Sequence, residues 1–199
     1  DSHPAETDIP QVADPLHILD CSPISDGAAA AVLCPLDMAK KIAKKAPVRI
    51  AGIGHATDSL ALYRRAEITR LPAVEDSGKR ALAMAKKTIA DVDLIEVHDC
   101  FTISEICVIE ELGVVPRGKG GDAARSGLTA LGGKIPVNTS GGLKSKGHPV
   151  GATGVAQIYE LGKVGEAYFI ALEYVAGKDL RSIFERARKR NEALPVPMA

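Results

Sequence analysis

The sequence predicts an α/β fold in which helices pack over a largely parallel sheet. Strand-like and helix-like segments alternate over the second half of the chain, and turns rich in glycine and proline separate them. The chain has 199 residues, of which 46% are hydrophobic, so it is long enough to bury a core. These observations define the fold class, and each element has its own local signal.

The first half of the chain divides into a predicted loop, a mixed segment of apolar run, turn and strand, a second strand and a helix. The residues up to Pro15 have the composition of a loop, and PLHILDCSPISDGAAAAVL at 15–33 combines an apolar run, a turn and a strand of small residues. PVRIAGIGHATD at 47–58 predicts a strand with glycine interruptions. DSGKRALAMAKKTIADVD at 76–93 predicts a helix capped by its first Asp or Ser.

The middle of the chain predicts a strand followed by a well-capped helix. DLIEVHD at 93–99 is a short apolar run between polar residues, typical of a strand. Thr102 and Glu105 have the spacing of a capping box, which predicts a helix over 103–112. Gly113 follows directly and provides the C-terminal stop.

The last part of this pattern is rich in glycine. A loop is predicted over 116–134 and a short strand, IPVN, over 135–138. The turn NTSGGLKSKGHPVGATG at 138–154 follows, and a helix is expected from about Gly151. Glycines at such density indicate backbone with positive φ or a close approach to another group.

Two strand-to-helix turns carry histidines, and such turns are where functional sites of α/β folds collect. His98 and Cys100 lie on the first turn, and His148 lies on the second. Two converging imidazoles can polarise a carbonyl or carry protons near neutral pH, and a thiol beside them can shuttle a proton. The alternatives are a loop histidine with satisfied hydrogen bonds and a cysteine that acts as a small buried hydrophobe.

Composition argues against several other classes of function. The 25 basic and 25 acidic residues balance, so no net field favours nucleic acid or a membrane surface. No apolar run is long enough for a membrane span, and the polar first residues do not resemble a signal peptide. The four cysteines form no CxxC pair, so we expect no metal site, and free thiols favour a cytoplasmic location.

Taken together, these motifs resemble the thiolase superfamily. GGLKSKGHPVGATG is similar to its GHPxGATG signature, and HDCF at 98–101 is similar to the variant of the sterol-carrier-protein-type and archaeal acetyl-CoA acetyltransferase branch, where most thiolases have NEAF. DCSPISDGAAAAVL and GLTALGG fit the same branch. The similarity covers roughly residues 10–160, which corresponds to the C-terminal half of the family's members.

The resemblance implies a fold, a chemistry and a domain division. The fold would be a thiolase-like mixed sheet with helices on its faces, here incomplete. Residues 1–45 would end the N-terminal domain, and 46–161 would form part of the C-terminal domain. The chemistry would be acyl transfer to and from coenzyme A, as used in lipid metabolism, with acyl-CoA as substrate and no covalently bound cofactor. A homo-oligomer is also implied.

The resemblance also implies roles for individual residues. His148 would activate a nucleophilic cysteine and help bind the thioester oxyanion, and His98 would hold a water of the same oxyanion hole. Cys100 would be an acid or base for the α-proton, and Asn138 would order the turn. The supporting glycines of this turn would be Gly141, Gly142, Gly147 and Gly151.

Two departures from the family pattern limit what we expect of this chain. None of its four cysteines lies in the nucleophile motif of the family's first domain, and no CxG segment is present. Residues 162–199 instead resemble a strand and helix of a bacterial serine/threonine kinase, without the motifs of phosphotransfer. We therefore expect no turnover without a partner that supplies the N-terminal half. A non-catalytic binding module and an artefactual fusion are the alternatives.

Overall fold

The structure is a computed structural model that describes residues 9–44 and 47–161 of the chain. Within these ranges it is a mixed α/β arrangement of six α-helices and a small open sheet. The helices are α1 (Leu36–Ile42), α2 (Pro72–Ala85), α3 (Thr102–Glu111), α4 (Gly120–Arg125), α5 (Gly142–Lys146) and α6 (Thr153–Leu161). Single 3-10 turns occur at Ile18–Asp20, Leu62–Arg64 and Ile89–Asp91.

The hydrophobic core lies between α3, α4 and the two segments that precede the histidine turns. Ile109 of α3 is 1% exposed, and Ala123 of α4 is buried beside it. The first segment contributes Ile95 and Val97 to the core, and the second segment contributes Ile135 and Val137. Because α3 also packs against α2, the core connects three helices to the backbone that carries the site.

Strand pairing is sparse in the described residues and is both parallel and antiparallel. One hairpin joins β1 (Gln11–Ala13) to β2 (Leu16–His17) in antiparallel register. The other pairs are isolated bridges: Ile95 with Val137 and Ile24 with His148 in parallel, and Cys21 with Phe101 in antiparallel orientation. The mixed orientation agrees with a mixed sheet, but in the described residues the segments at 93–99 and 135–138 share a single bridge.

Two predicted strands were wrong. Neither the small-residue segment near residue 30 nor residues 47–58 pair with another strand in the described chain. The second segment instead lies against α2, where a Cβ at Gly52 would approach Ala81 O to 2.1 Å and a Cβ at Gly54 would approach Ser77 O to 1.8 Å. The glycines therefore permit contact with a helix backbone, which a strand pattern alone does not reveal.

Two predicted loops also contain regular structure. The hairpin β1–β2 occupies the expected N-terminal loop, and α4 lies inside the expected loop at 116–134. The start of α4 is held by α3, because the N–H of Gly120 donates to Glu110 Oε1 at 2.8 Å. A cap supplied from another helix has no signature in the local sequence, and this explains why α4 was not predicted.

Helix α2 differs from its prediction at both ends. It begins at Pro72, four residues before Asp76, because proline suits the first helical position, where its missing N–H costs nothing. It ends at Ala85, since Lys86 adopts a left-handed conformation with φ +57°. Of the remaining predicted residues, Ile89–Asp91 form a separate 3-10 turn.

The capping box predicted for α3 was wrong, whereas its C-terminal stop is confirmed. Phe101 occupies the N-cap position, and the hydroxyl of Thr102 donates to Asp20 Oδ1 at 3.1 Å. Glu105 accepts a hydrogen bond from Asn138 in the core instead of returning to the helix start. Gly113 has φ +77° and ends the helix as expected.

The predicted helix after the second histidine turn begins at Thr153, two residues later than expected. The expected strand and helix of the kinase-like tail at 162–199 lie outside the described residues. The resemblance of that tail to a kinase therefore stays a prediction.

The core predicts a large contrast between two isoleucines of α3. Ile109 is 1% exposed and Ile103 is 45% exposed. Ile109→Ala should lower the free energy of unfolding by about 2–5 kcal/mol, because it leaves a cavity in packed surroundings. Ile103→Ala, the matched control on the same helix, should lower it by about 1 kcal/mol or less. Urea unfolding followed by circular dichroism measures both, and equal losses would contradict the assigned core.

Candidate active site

Two histidine rings from different turns meet in the structure. The ring centroids of His98 and His148 are 4.6 Å apart with an interplanar angle of 74°, an edge-to-face contact. Burial lowers the pKa of His98, and the neighbouring His148 and Lys146 lower it further, while Asp99 opposes them. The uncharged form of His98 is therefore favoured at neutral pH, which avoids charge repulsion between the two rings.

The turn that carries His148 is held by the segment at 23–27. The N–H of His148 donates to Pro23 O at 3.1 Å beside the parallel bridge between Ile24 and His148. Gly147 has φ +82°, and a Cβ there would lie 2.2 Å from Ser25 Oγ. Glycine is thus required at this position both for its backbone conformation and for its contact.

The backbone that carries His98 is held by side chains instead of a neighbouring strand. Ile95 makes the last backbone hydrogen bonds to the second core segment, donating to Pro136 O at 2.9 Å and accepting from the N–H of Asn138 at 2.8 Å. The N–H of Val97 then donates to Asn138 Oδ1 at 2.8 Å, and the carbonyl of Val97 accepts from Gln157 Nε2. Both polar groups of the residue before His98 are therefore satisfied by amide side chains.

Asn138 connects this backbone to α3. Its Oδ1 accepts from Val97, so its Nδ2 faces and donates to Glu105 Oε2 at 2.9 Å. Asn138 is buried and has φ +52°, a left-handed conformation that asparagine tolerates better than most residues. Burial raises the pKa of Glu105, and the negative charges of Asp99 and Glu96 add to this, while the Asn138 hydrogen bond opposes it.

The glycine-rich turn is held by two carboxylates, one just before the first histidine turn (Glu96) and one on it (Asp99). Glu96 accepts from the hydroxyl of Thr139 at 3.1 Å and from both the N–H and the hydroxyl of Ser140, at 3.0 and 2.8 Å. Asp99 accepts from the N–H of Leu143 at 2.9 Å. A Cβ at Gly142 would lie 2.0 Å from Asp99 Oδ2, so glycine there leaves room for the carboxylate.

The structure places the other expected site residues as follows. Cys100 is half-buried on the turn before α3, and its Sγ lies 3.8 Å from Ser104 Oγ. Gly141 has φ +88° and occupies the N-cap position of α5. A close approach to a neighbouring backbone or to a ligand is what the sequence predicts for Gly151, and no described atom lies within 4 Å of where its Cβ would be.

Sequence reasoning missed four residues that shape this site. The sequence pattern predicts Glu96 as a strand residue and Glu105 as a capping residue, and it assigns Thr153 and Gln157 only to the last helix. The polar Glu96 inside an apolar strand was a usable signal, because a carboxylate there needs partners. No local sequence pattern indicated the roles of Glu105, Thr153 and Gln157, because their hydrogen-bond partners are 5 to 60 positions away in the sequence.

The described residues contain few other chemical groups of functional interest. Across 9–44 and 47–161, no cluster of three or more His, Cys, Asp or Glu side chains could hold a metal ion. The cysteines, all within these ranges, are free thiols: Cys21, Cys34, Cys100 and Cys107. No helix in the described part of the chain combines the length and the apolar character needed to cross a membrane.

Glu105 predicts a pH-dependent gain in stability on substitution. Because its folded pKa lies above the ordinary value of 4.5, its contribution is complete below pH 4.5 and is lost as the pH rises through the folded pKa. Glu105→Gln keeps the acceptor for Asn138 and removes the buried charge. Its free energy of unfolding should therefore exceed that of the wild type by an amount that grows between pH 4 and pH 7.

A second glutamate supplies a control of opposite sign. Hydrogen bonding by Lys79 and the charges of Lys79 and Arg70 hold the pKa of Glu75 below its ordinary value. Glu75→Gln should therefore lose stability relative to the wild type as the pH rises over the same interval. Urea titrations at several pH values measure both variants, and a constant difference for Glu105→Gln would contradict the assignment.

Comparison with known proteins finds a matching family and relatives that cover about three quarters of this chain. Residues 54–164 match the family described as thiolase C-terminal domain-like. An acetyl-CoA acetyltransferase of Methanothermobacter thermautotrophicus is 53% identical over 150 residues, which cover 75% of this chain and 39% of that protein. Sterol carrier protein 2 of Homo sapiens is 40% identical over 155 residues, covering 76% of this chain and 28% of that protein. The chain thus spans between about a quarter and two fifths of these relatives.

A solved structure supports the fold. An aldolase described as Ltp2-ChsH2(DUF35) aligns with a TM-score of 0.59 and 24% identity, covering 79% of this chain and 42% of that chain. The family match covers more than half of the sequence and includes both histidine turns. The chain belongs to the thiolase superfamily, as a member of the thiolase C-terminal domain-like family.

Proposed function

We propose that this chain is the histidine-bearing C-terminal half of a thiolase-type acyl-CoA acyltransferase. The observation that carries the proposal is the edge-to-face contact of His98 and His148, with ring centroids 4.6 Å apart on two turns that carry the family's motifs. Acyl-CoA is the proposed substrate, and no covalently bound cofactor is required. Four free thiols favour a reducing compartment, and we assign the protein to the cytoplasm.

The proposed chemistry uses His148 as a general base. His148 takes the proton from a cysteine thiol, and the thiolate attacks the thioester carbonyl of acyl-CoA. The bond from the carbonyl carbon to the CoA sulfur breaks, and the leaving CoA thiolate takes the proton back from His148. His98, neutral because burial lowers its pKa, orients a water toward the oxyanion, and Cys100 serves as acid or base for the α-proton of the second substrate.

The nucleophilic cysteine is proposed to come from a partner half. None of the four cysteines of this chain lies in the family's nucleophile motif. The described residues also present large apolar side chains that such a half could cover, among them Ile24, Leu60 and Tyr63 at 87%, 95% and 84% exposure. The partner is an N-terminal thiolase half, with homo-oligomers of the completed unit as the next level of assembly.

A second candidate is a binding module without catalysis. The lack of a nucleophile motif among the cysteines favours it, because the turns could still bind the thioester of acyl-CoA. Saturable acyl-CoA binding by the chain, with no turnover when an N-terminal half is added, would select this function over the first.

Complementation tests the catalytic proposal. The chain should not cleave acetoacetyl-CoA with free CoA by itself. It should do so when mixed with the N-terminal part of the Methanothermobacter thermautotrophicus relative that this chain does not cover. In that mixture His148→Ala should reduce the rate at least about 100-fold, the usual contribution of a positioned base. Loss of acetoacetyl-CoA absorbance measures the rate.

The control for this experiment is His55→Ala, because His55 is exposed and distant in sequence from both turns. Its rate should equal that of the wild type in the same mixture. Turnover by the unmixed chain, or an unchanged rate with His148→Ala, would rule out the proposed division of roles.

Titration tests the electrostatics of the pair. His98 should titrate below the ordinary histidine pKa of 6.5, because burial and the charges of His148 and Lys146 disfavour its protonated form. His148→Ala removes the like charge and part of the burial, so it should raise the pKa of His98. Proton NMR of the ring signals from pH 4.5 to 8 measures both, with His55→Ala as the unchanged control. A pKa of His98 that does not move on His148→Ala would refute the coupling.

A further inference from the structure

Helix α6 touches both histidine turns from one face. Thr153 and Gln157 are four positions apart, so their side chains lie one above the other on the helix surface. Thr153 contacts the ring of His148, and Gln157 contacts the backbone carbonyl of Val97, the residue before His98. One face of α6 therefore contacts the ring of His148 and the peptide unit that leads into His98.

The hydrogen bonds of Thr153 determine which nitrogen of His148 carries the proton. Its Oγ1 lies 3.0 Å from Pro149 O and 3.3 Å from His148 Nδ1. Nδ1 can either donate or accept, whereas a carbonyl oxygen can only accept, so both contacts of Oγ1 are hydrogen bonds only if the hydroxyl proton points to Pro149 O, which also accepts from the N–H groups of Ala152 and Thr153. Oγ1 must then accept from Nδ1–H, because two acceptors would otherwise face each other in a site where Thr153 is 1% exposed. The neutral ring thus leaves Nε2 unprotonated.

Gln157 fixes the other ring through the main chain. Its Nε2 donates to the carbonyl of Val97, while Asn138 Oδ1 accepts from the N–H of the same residue. The atom of Gln157 that faces a carbonyl must be the amide nitrogen, so its orientation is chemically determined. The peptide unit that leads into His98 is therefore held by a donor from α6.

We propose that Thr153 and Gln157 are positioning residues of the histidine pair. Thr153 keeps neutral His148 in the Nδ1–H tautomer with Nε2 free as a base, and Gln157 keeps the His98 ring against it. The meaning of this arrangement for acyl transfer rests on the proposed function, whereas the ring state and ring contact do not. The tests of this proposal measure the tautomer and the ring contact and not enzymatic turnover, so their failure is distinct from a failure of the acyltransferase proposal.

The tautomer is read from long-range proton–nitrogen NMR spectra of the nitrogen-15-labelled chain at pH 8. In the wild type, Nδ1 of His148 should show the shift of a protonated nitrogen and Nε2 that of a bare one. Thr153→Ser keeps the hydroxyl and should keep this pattern. Thr153→Val keeps the shape but cannot accept from Nδ1–H, so the Nε2–H form should become the major one. A wild-type ring protonated at Nε2, or no change in Thr153→Val, would overturn the role of Thr153.

The ring contact is read from the nuclear Overhauser effect between ring protons of His98 and His148, which are close in the wild type. Gln157→Met removes the donor with little change in side-chain length and should abolish this signal. Gln157→Lys can still donate to the carbonyl of Val97 and should retain it. Thr153→Val, which leaves Gln157 intact, should also retain it. A signal in Gln157→Met equal to that of the wild type would overturn the role of Gln157.

Discussion

The arrangement of this protein depends on the buried side-chain amide of Asn138. The parallel pairing of the two core segments ends after Ile95, and the N–H of Val97 would be buried without a partner. Such a group costs about 1–3 kcal/mol when it is left unsatisfied. Asn138 supplies the missing acceptor through Oδ1, donates to Glu105 through Nδ2, and turns the chain with φ +52°.

The site follows from this constraint, because one residue both ends the pairing and begins the glycine-rich turn. The turn is then held against the first histidine turn by Glu96 and Asp99, whose carboxylates accept from its backbone and hydroxyl groups. Its far end is held by the segment that contacts Gly147 and His148. Because both turns are held from several sides, the two rings approach within 4.6 Å, where desolvation and the neighbouring His148 lower the pKa of His98.

The sparse pairing also explains why some predicted strands are absent. Residues 47–58 have a strand-like apolar pattern, but in the described chain they lie along α2 and leave Ile53 two-thirds exposed. A strand forms only where a neighbour completes its hydrogen bonds, and the described residues offer few such neighbours.

Several features of this protein were predictable from sequence alone: the α/β class, the approximate positions of α2, α3 and α6, the stop at Gly113 and the two histidine turns, whose strand-to-helix setting was expected. These features depend on local periodicity, turn chemistry and motifs, which a linear pattern contains. Three other features depend on the folded arrangement: Glu105 binds Asn138 instead of capping its own helix, the start of α4 is held by Glu110, and α6 contacts both histidine turns. Each of these is a hydrogen bond whose partner is chosen by three-dimensional proximity, and proximity follows from the packing of the core and not from spacing along the chain.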